Sequence, residues 1–417
     1  MIGFIDAAVY PALLQLCCVG MTLANSIDIA REIQNAGQMN LTVQIMLKLA
    51  LTGVGLAVGL WGFFFRRDLR RMAGSLPGML ILSLIIWHFV STPFAISPAK
   101  AFVTALSFLA VAGVIGGMMV ESGFRGVTIA TLIGLVLYAI GSLGLYAAAP
   151  ELAMFEEVLN SVVRVERFGG LSHPNVTAMH AVLTALIAAG GFAQGYLGWR
   201  SLLPILILSV VVLVATKSRT PAIAGVTAAT VMSLPLLRFR QSYAVAVIAG
   251  VAAILTYLAI EASIGTDFLT EGIFRSFTKT GSAEELTTFT GRTEIWAYSI
   301  ERTAERPLFG WGIGSTPEVM QEHSGHSHNI LLHPLLGFGV PGGLLVVALL
   351  LLNVVAAYSC NNAVVGGVVV FLLVSGIAES ALLGPFPGSP TMLWLAIALL
   401  PVAEQITGPA DRSVNGH

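Results

Sequence analysis

The sequence predicts an all-α, polytopic integral membrane protein with about twelve transmembrane helices and almost no water-soluble domain. Of its 417 residues, 56% are hydrophobic and only 10% are charged, and the mean hydropathy is +0.85. A soluble domain carries roughly 25% charged residues. The apolar runs are about 20 residues long, the length of helix that crosses a hydrocarbon core of about 30 Å.

Twelve predicted spans are free, or nearly free, of charged residues, and together they make residues 1–417 a single membrane domain. They cover about 7–24, 41–65, 78–96, 101–120, 126–149, 174–195, 201–216, 220–237, 243–262, 329–357, 363–378 and 391–405. The run 329–357 is too long for one straight helix, and it contains His333-Pro334 and a glycine-rich break at 337–343. We therefore expect a kinked or re-entrant start to this span.

The orientation follows from arginine and lysine in the short loops. The strongest cluster, Arg66, Arg67, Arg70 and Arg71, follows the second span, and the positive-inside rule places it in the cytoplasm. Two longer polar segments, about 150–173 and 265–328, then fall outside. The second is the one large outer (periplasmic) loop, and within it 291–306 predicts a helix on the membrane surface, stopped by Pro307.

Several classes of function are disfavoured by what the sequence lacks. It has no basic stripe that would predict a nucleic-acid partner and no GxxxxGK[ST] nucleotide motif. Its three cysteines, Cys17, Cys18 and Cys360, form neither a disulfide framework nor a metal pattern. We expect no cofactor.

Five basic residues oppose the orientation rule because they lie on the predicted outer side. Arg164 and Arg167 precede the sixth span, Lys217 and Arg219 occupy the short loop before the eighth, and Arg292 starts the surface helix. Converging guanidinium groups suit a phosphate or pyrophosphate, with which they form paired, charge-assisted hydrogen bonds. The alternative for each is an arginine that snorkels to the interface or binds helix carbonyls.

A histidine cluster, His323, His326 and His328, precedes Asn329 and the tenth span. A neutral imidazole accepts protons near pH 7, so one of these rings could take the proton from a sugar hydroxyl, with Asn329 orienting the ring or the substrate. The alternatives are a polar helix cap and a zinc site. Because no carboxylate spacing accompanies the cluster, we expect no metal.

Other polar residues lie at the outer ends of spans. His173-Pro174-Asn175 opens the sixth span and could line the same cavity, although a simple turn and helix start explains it equally well. His88, His180 and Glu379 lie near the outer ends of their spans and could support the site.

Four segments carry a family resemblance in order along the chain. They are Arg167-Phe-Gly-Gly-Leu-Ser-His-Pro-Asn175, Thr216-Lys-Ser-Arg-Thr220, Gly291-Arg-Thr-Glu-Ile-Trp296 with Arg306-Pro-Leu-Phe-Gly-Trp-Gly-Ile-Gly314, and His326-Ser-His-Asn329 with Gly337-Phe-Gly-Val-Pro-Gly342. The ordered set resembles the O-antigen ligase and polymerase superfamily of bacterial membrane glycosyltransferases.

The resemblance implies an enzyme that uses neither metal nor nucleotide, at the periplasmic face of the bacterial inner membrane. Such an enzyme takes a glycan from undecaprenyl pyrophosphate and joins it to an acceptor hydroxyl, such as that of lipid A-core, with inversion. A polymerase that joins lipid-linked repeat units is the alternative within this chemistry. A transporter or flippase of a lipid-phosphate substrate is the alternative of another class.

By position, the resemblance assigns roles to particular residues. Arg219 and Arg292 would hold the pyrophosphate, with Arg164 or Arg167 assisting. His328 matches the histidine proposed as general base, but His326 lies two residues earlier, so either ring could act. Asn329, His173, Asn175 and Lys217 are the supporting residues.

Overall fold

The computed structural model describes residues 9–28, 43–159, 163–233, 292–321 and 325–407. These ranges are almost entirely helical. The helices are α1 (Val9–Ser26), α2 (Val43–Phe65), α3 (Arg67–Ala73), α4 (Leu76–Ser91), α5 (Pro98–Glu121), α6 (Gly123–Ala148), α7 (Pro150–Ala153), α8 (Pro174–Ala193), α9 (Trp199–Thr216), α10 (Arg219–Ser233), α11 (Arg292–Glu305), α12 (Thr316–Val319), α13 (Leu332–Ser359), α14 (Ala363–Gly376) and α15 (Ser389–Thr407). Short 3-10 turns cover Thr92–Phe94 and Ile313–Ser315.

Nine helices of the described ranges are long and apolar enough to cross a membrane: α1, α2, α4, α5, α6, α8, α9, α13 and α15. The shorter α14 is also strongly apolar, and α10 covers most of the predicted span 220–237 in 15 residues. The prediction of an all-α polytopic membrane protein is confirmed. The predicted span 243–262 and residues 265–291 of the outer loop lie outside the described residues, so the number twelve stays a prediction.

Three of the described helices, α4, α8 and α14, begin at a residue whose side chain caps them. The side chain of Ser75 accepts a hydrogen bond from the Gly78 N–H at the start of α4. Asn362 accepts two backbone hydrogen bonds at the start of α14. Such contacts satisfy the unpaired N–H groups of a first helical turn, which no solvent could satisfy inside a bilayer.

Helix α5 lies in the middle of one half of the bundle and packs on α1, α2, α4, α6 and α15. In the other half, α14 packs on α8, α10 and α13, and its residues are almost all buried. At the periphery, α2 and α9 expose large apolar side chains such as Phe64, Val211 and Val214. An apolar outer surface around an apolar core is expected of a protein whose solvent is hydrocarbon.

The predicted kink in α13 is confirmed and lies at Gly339. This residue has φ 70° and ψ −171°, and Pro341 follows it. The break lets the segment after α11 pack against the helix, because Trp311 and Gly312 donate backbone hydrogen bonds to the carbonyls of Leu336 and Gly337. A Cβ atom on Gly339 would lie 2.5 Å from the carbonyl oxygens of Pro307 and Leu308, so only glycine fits this crossing.

A β-hairpin interrupts the helical pattern and was not predicted. Strand β1 (Met154–Leu159) pairs antiparallel with β2 (Val163–Phe168), and Met154 lies opposite Phe168. The sequence analysis treated 150–173 only as a polar outer segment. The hairpin fixes the position of Arg167, near the end of β2.

The arginine cluster and this hairpin lie at opposite ends of the bundle. Arg66 forms an ion pair with Glu121 at 3.3 Å, immediately before α6 begins. The 26 residues of α6 then rise about 39 Å to reach α7 and the hairpin. The two ends therefore have the separation that the predicted orientation requires.

Candidate active site

The candidate site is assembled from six separate segments at the hairpin end of the bundle. These are the end of β2, the start of α8, the turn between α9 and α10, the start of α11, the loop before α13 and the loop after α14. Their polar residues are Arg167, Asn175, Ser218, Arg219, Thr220, Arg292, His326, His328, Glu379 and Ser380. Distant parts of the chain thus supply one polar centre beside an apolar bundle.

Glu379 is the centre of this arrangement and is only 8% exposed. Its Oε1 accepts a hydrogen bond from Asn175 Nδ2 at 2.8 Å and forms an ion pair with an Arg292 nitrogen at 2.9 Å. Its Oε2 lies 3.3 Å from His328 Nδ1. One carboxylate therefore joins three segments that the sequence places far apart.

Burial raises the pKa of the Glu379 carboxyl, but its partners outweigh that effect. The hydrogen bond and the charge of His328, together with the Arg292 guanidinium, lower the pKa to about 2. Glu379 is therefore ionised at any physiological pH, and it can only accept hydrogen bonds.

Arg292 and Arg219 are each the first residue of a helix near this centre. Arg292 is the first residue of α11, and it donates a hydrogen bond to Thr220 Oγ1 at 3.3 Å. Thr220 follows Arg219 directly, at the start of α10. The turn that presents them depends on Lys217, which has φ 52° and ends α9 in the left-handed conformation. The exposed Lys217 side chain donates to the Glu166 carbonyl at 3.4 Å.

Arg167 is buried, with only 2% of its surface exposed. Its guanidinium donates to Glu157 at 2.6 Å, to Asn175 Oδ1 at 2.8 Å and to Ser218 Oγ at 2.6 Å. Its Nε donates to the Thr216 carbonyl at 3.0 Å. These contacts hold the hairpin, the start of α8 and the α9–α10 turn together. An assisting contact to a ligand was predicted for Arg167, but its donors already face protein acceptors.

Only the backbone of Arg164 belongs to the described part of the structure. Its backbone pairs with Val158 in the hairpin, while its side chain lies outside the part of the chain that the structure describes. Its predicted assisting role stays a prediction. The third histidine of the sequence cluster, His323, also lies outside the described residues.

The rings of the two described histidines of the cluster are in contact, with centroids 3.8 Å apart and planes tilted by 47°. His328 has a positive φ of 47°, which is uncommon for a residue with a side chain. Its backbone N–H donates to His326 Nδ1 at 3.2 Å, and its carbonyl accepts from Trp296 Nε1 at 3.4 Å. The tight turn is thus fixed from both sides, one of them by α11.

The hydrogen bonds assign different tautomers to the two rings. Burial, and then the charge of His328, lower the pKa of His326 well below its usual value, so this ring is neutral near pH 7. His326 Nδ1 accepts from the His328 N–H and lies 2.9 Å from Ser380 Oγ, which places the His326 proton on Nε2. His328 Nδ1 faces a carboxylate that can only accept, so its proton lies on Nδ1. The lone pair of neutral His328 is therefore on Nε2.

A comparison with protein families adds one finding. The O-antigen ligase family model matches residues 204–347, about a third of the chain. The match supports membership of the O-antigen ligase superfamily. Proteins of this family are membrane glycosyltransferases of the ligase or polymerase type. A search of curated proteins found no match.

The matched stretch contains Arg219, Arg292 and His328, whereas Arg167 precedes it and Glu379 follows it. The superfamily resemblance stated from the sequence is confirmed. In this O-antigen ligase relative, the parts of the site outside the match are nevertheless built into the same network of hydrogen bonds.

Two supporting residues act as helix caps, which is one of the alternatives that the sequence left open. Asn329 Oδ1 accepts from the N–H groups of Leu331 and Leu332, at 2.9 and 3.0 Å, directly before α13. His173 is the N-cap of α8, and its Nδ1 accepts from the Asn175 N–H at 3.2 Å. Burial, and then the charge of Arg167, lower the pKa of His173 to about 4. Asn175 itself links Arg167 to Glu379.

The cluster also has the composition of a metal site. Ligand atoms of His326, His328 and Glu379 all lie within 4.8 Å of one another. The carboxylate that the sequence analysis sought near the histidines comes from 51 residues beyond His328. However, the same carboxylate binds the Arg292 cation, and His326 Nδ1 binds a backbone N–H. A divalent cation would have to displace these contacts.

Glu379 is more central than its sequence position predicts, since the sequence indicates only a possible supporting role. The signal was a single carboxylate directly after a strongly apolar run, and charged residues at such positions are usually functional. His88 and His180, grouped with it, have other surroundings. His88 packs on Phe108 and Phe338, and His180 packs on Tyr138.

Proposed function

We propose that this chain is an O-antigen ligase-type glycosyltransferase. It moves a glycan from undecaprenyl pyrophosphate to an acceptor hydroxyl, that of lipid A-core, at the periplasmic face of the inner membrane. The observation that supports the proposal most is that Arg292, Glu379 and His328 meet at the end of the bundle opposite the basic cluster. Arg219 directly precedes Thr220, which accepts a hydrogen bond from Arg292. The reaction inverts the anomeric carbon and uses no metal.

Arg219 and Arg292 bind the diphosphate of the donor. Arg219 is the first residue of α10 and Arg292 is the first residue of α11, and the hydrogen bond from Arg292 to Thr220 links the two helix starts. As the bond between the anomeric carbon and the phosphate oxygen breaks, its electron pair and a negative charge go to the diphosphate. Fixed guanidinium groups stabilise that charge without reorganisation.

His328 is the general base. Glu379 accepts a hydrogen bond from His328 Nδ1–H and fixes the ring, so that Nε2 presents a lone pair to the acceptor. The acceptor oxygen attacks the anomeric carbon from the face opposite the diphosphate, and its proton passes to His328 Nε2. A positioned base of this kind contributes about 10²–10⁴-fold to the rate.

His326 and Arg167 are positioning residues in this mechanism. His326 accepts the N–H of His328 and so supports the strained turn, which favours His328 over His326 as the base. Arg167 binds Asn175, which in turn binds Glu379. Removal of either would disturb the geometry without removing a group that reacts.

An acceptor comparison tests the proposed function. The full chain, reconstituted in lipid, is supplied with a synthetic undecaprenyl-pyrophosphate glycan and with either lipid A-core or lipid-linked repeat units alone. Glycosylated lipid A-core, formed equally with and without a chelator, is the expected product. Growth of the lipid-linked glycan alone would identify a polymerase. Loss of activity in the presence of the chelator would show that the enzyme needs a metal ion.

A different measurement distinguishes a flippase or transporter from a glycosyltransferase. Such a protein would use the same arginines to bind a phosphorylated headgroup, but it would form no glycosidic bond. Movement of intact donor across the bilayer without any new product would therefore refute the proposed chemistry.

A further inference from the structure

An apolar cavity lies at the end of the bundle opposite the candidate active site, among α2, α3, α4 and α5. It has a volume of about 270 Å³, and every residue that lines it is apolar. Its walls include Gly59 of α2, Met72 of α3, Ile81 and Ile85 of α4, and Ala112 and Gly113 of α5. None of these residues belongs to the candidate active site.

The cavity is a cleft that faces the bilayer. Helices α2 and α4 each pack on α5 and on the short α3, and they leave the cleft between themselves. Glycines let α2 and α5 approach closely at the base of the cleft, because a Cβ atom on Gly59 would lie 2.9 Å from the backbone of Gly113. Leu60 and Phe63, at the rim, are 44% and 36% exposed. Hydrocarbon can enter from the side, and an empty cleft would forfeit packing contacts on every wall.

A positively charged surface closes one end of the cleft. Helix α3 buries Leu69 and Met72 toward the bundle, and it exposes Arg67, Arg70 and Arg71 on one face. These arginines are three and four residues apart, so they share that face.

Within the ranges that the structure describes, carboxylates pair with only part of the positive charge on this surface. Asp68 pairs with Arg71 at 3.2 Å, Glu121 pairs with Arg66, and Arg70 binds the carbonyls at the end of α2. Two carboxylates thus face four guanidinium groups.

We infer that this cleft and the arginines of α3 form a binding site for an anionic phospholipid of the cytoplasmic leaflet. One acyl chain lies in the cleft, and the phosphodiester lies on Arg67 and its neighbours. The volume suits part of a single chain, since pockets for whole drug-sized ligands measure about 300–1,000 Å³. Basic clusters at the membrane surface attract anionic lipid headgroups, and here an apolar cleft directly adjoins the cluster.

This site is independent of the proposed transferase chemistry. Its lining residues lie near the end of the bundle where α6 begins, whereas Glu379 lies at the hairpin end. A lipid chain in the cleft fills the space between α2 and α4 and so stabilises the packing of these two helices.

Native mass spectrometry of the full chain in nanodiscs tests the inference. The discs contain either phosphatidylglycerol or phosphatidylcholine, and the retained lipid and the Tm are measured. We expect retention of phosphatidylglycerol with a preference on the order of tenfold, and a higher Tm in its presence. Equal retention of both lipids would overturn the headgroup assignment, and retention of polyprenyl phosphate in their place would overturn the choice of occupant.

Two variants separate the parts of the site. Arg67→Gln combined with Arg71→Gln should remove the preference for phosphatidylglycerol, while Arg200→Gln, at the start of α9, serves as the matched charge control and should keep it. Ala112→Leu should fill the cleft and reduce retention of either lipid. If the arginine variant binds like the control, or if Ala112→Leu folds normally and still retains lipid, the inference is wrong.

Discussion

At the scale of single residues, Glu379 determines the properties of the site more than any other side chain. It is buried, ionised and bound to Asn175, Arg292 and His328. A buried charge is tolerated only when it is paired and hydrogen-bonded. The contact with His328 also fixes the tautomer of that ring. The stability of the site and its proposed chemistry therefore depend on one carboxylate.

Glu379→Gln should lower kcat by roughly 10²–10⁴-fold, the contribution of a positioned base. The glutamine oxygen can still accept from Asn175 and Arg292, but its amide nitrogen would then face His328 Nδ1. A donor at that position favours the wrong tautomer, with the proton on Nε2. Steady-state kinetics of glycan transfer checks this.

The control for this variant is Glu318→Gln, which removes an outer carboxylate that pairs with Lys100, away from the site. It should leave kcat unchanged, and KM for the donor should change little in either variant. Near-normal kcat in Glu379→Gln would show that the carboxylate does not orient the base.

His173 gives the site a predicted pH dependence of stability. The folded protein keeps this ring neutral down to about pH 4, whereas the unfolded chain binds a proton below about 6.5. The unfolded state thus binds more protons between these values, so stability falls as the pH drops from about 6.5 toward 4. His173→Asn keeps a capping acceptor but does not titrate.

Thermal unfolding at several pH values checks this prediction. The variant and the original protein should have similar Tm values at pH 8, and the loss of Tm on going to pH 5 should be smaller in the variant. An identical loss in both proteins would mean that His173 is not buried as described.

At the scale of elements, the broken helix α13 and the segment after α11 depend on each other. The positive φ of Gly339 opens the helix, and Val340 then donates to the Pro307 carbonyl at 2.7 Å. This packing holds α11 beside the start of α13, where Trp296 binds the His328 carbonyl. The geometry of the histidine turn therefore depends on a glycine eleven residues later.

Gly339→Ala should destabilise the protein by about 1–3 kcal/mol, the cost of holding a strained backbone, with further loss from the clash with Pro307 and Leu308. Gly144→Ala in α6 is the matched control, because its Cβ atom would meet nothing within 4 Å. That change should be neutral or slightly stabilising, since alanine is favoured in helices. The two Tm values are compared, and a Gly339→Ala variant as stable as the control would contradict the description of the kink.

The elements differ in how well the sequence predicted them. The spans, the surface helix beginning at Arg292 and the kink before Pro341 could be predicted, because hydropathy, charge and the positions of proline and glycine act locally. The β-hairpin could not, since its pairing serves to place Arg167 against Asn175 and Ser218, residues from other segments. The partnership of Glu379 with His328 is a long-range contact of the same kind.

At the scale of the whole molecule, the bundle separates two charged surfaces by the length of α6. The arginines of α3 lie at one end, and the network around Glu379 lies at the other. The positive-inside rule predicts that the network faces outside. Arg292, His326 and His328 lie close to one another, as the sequence predicted, but the sequence did not predict that all of Arg167's contacts would be structural or that Asn329 would cap a helix. Those outcomes depend on which partners the fold brings within hydrogen-bonding distance.

The most direct test of the proposed chemistry separates donor binding from glycan transfer in two variants. His328→Ala should bind the undecaprenyl-pyrophosphate glycan with nearly unchanged affinity and lose transfer by at least about 10²-fold, whereas Arg219→Ala should weaken binding of the donor itself. Both are measured on the reconstituted chain, by donor titration and by the yield of glycosylated acceptor. Normal transfer by His328→Ala would contradict the account.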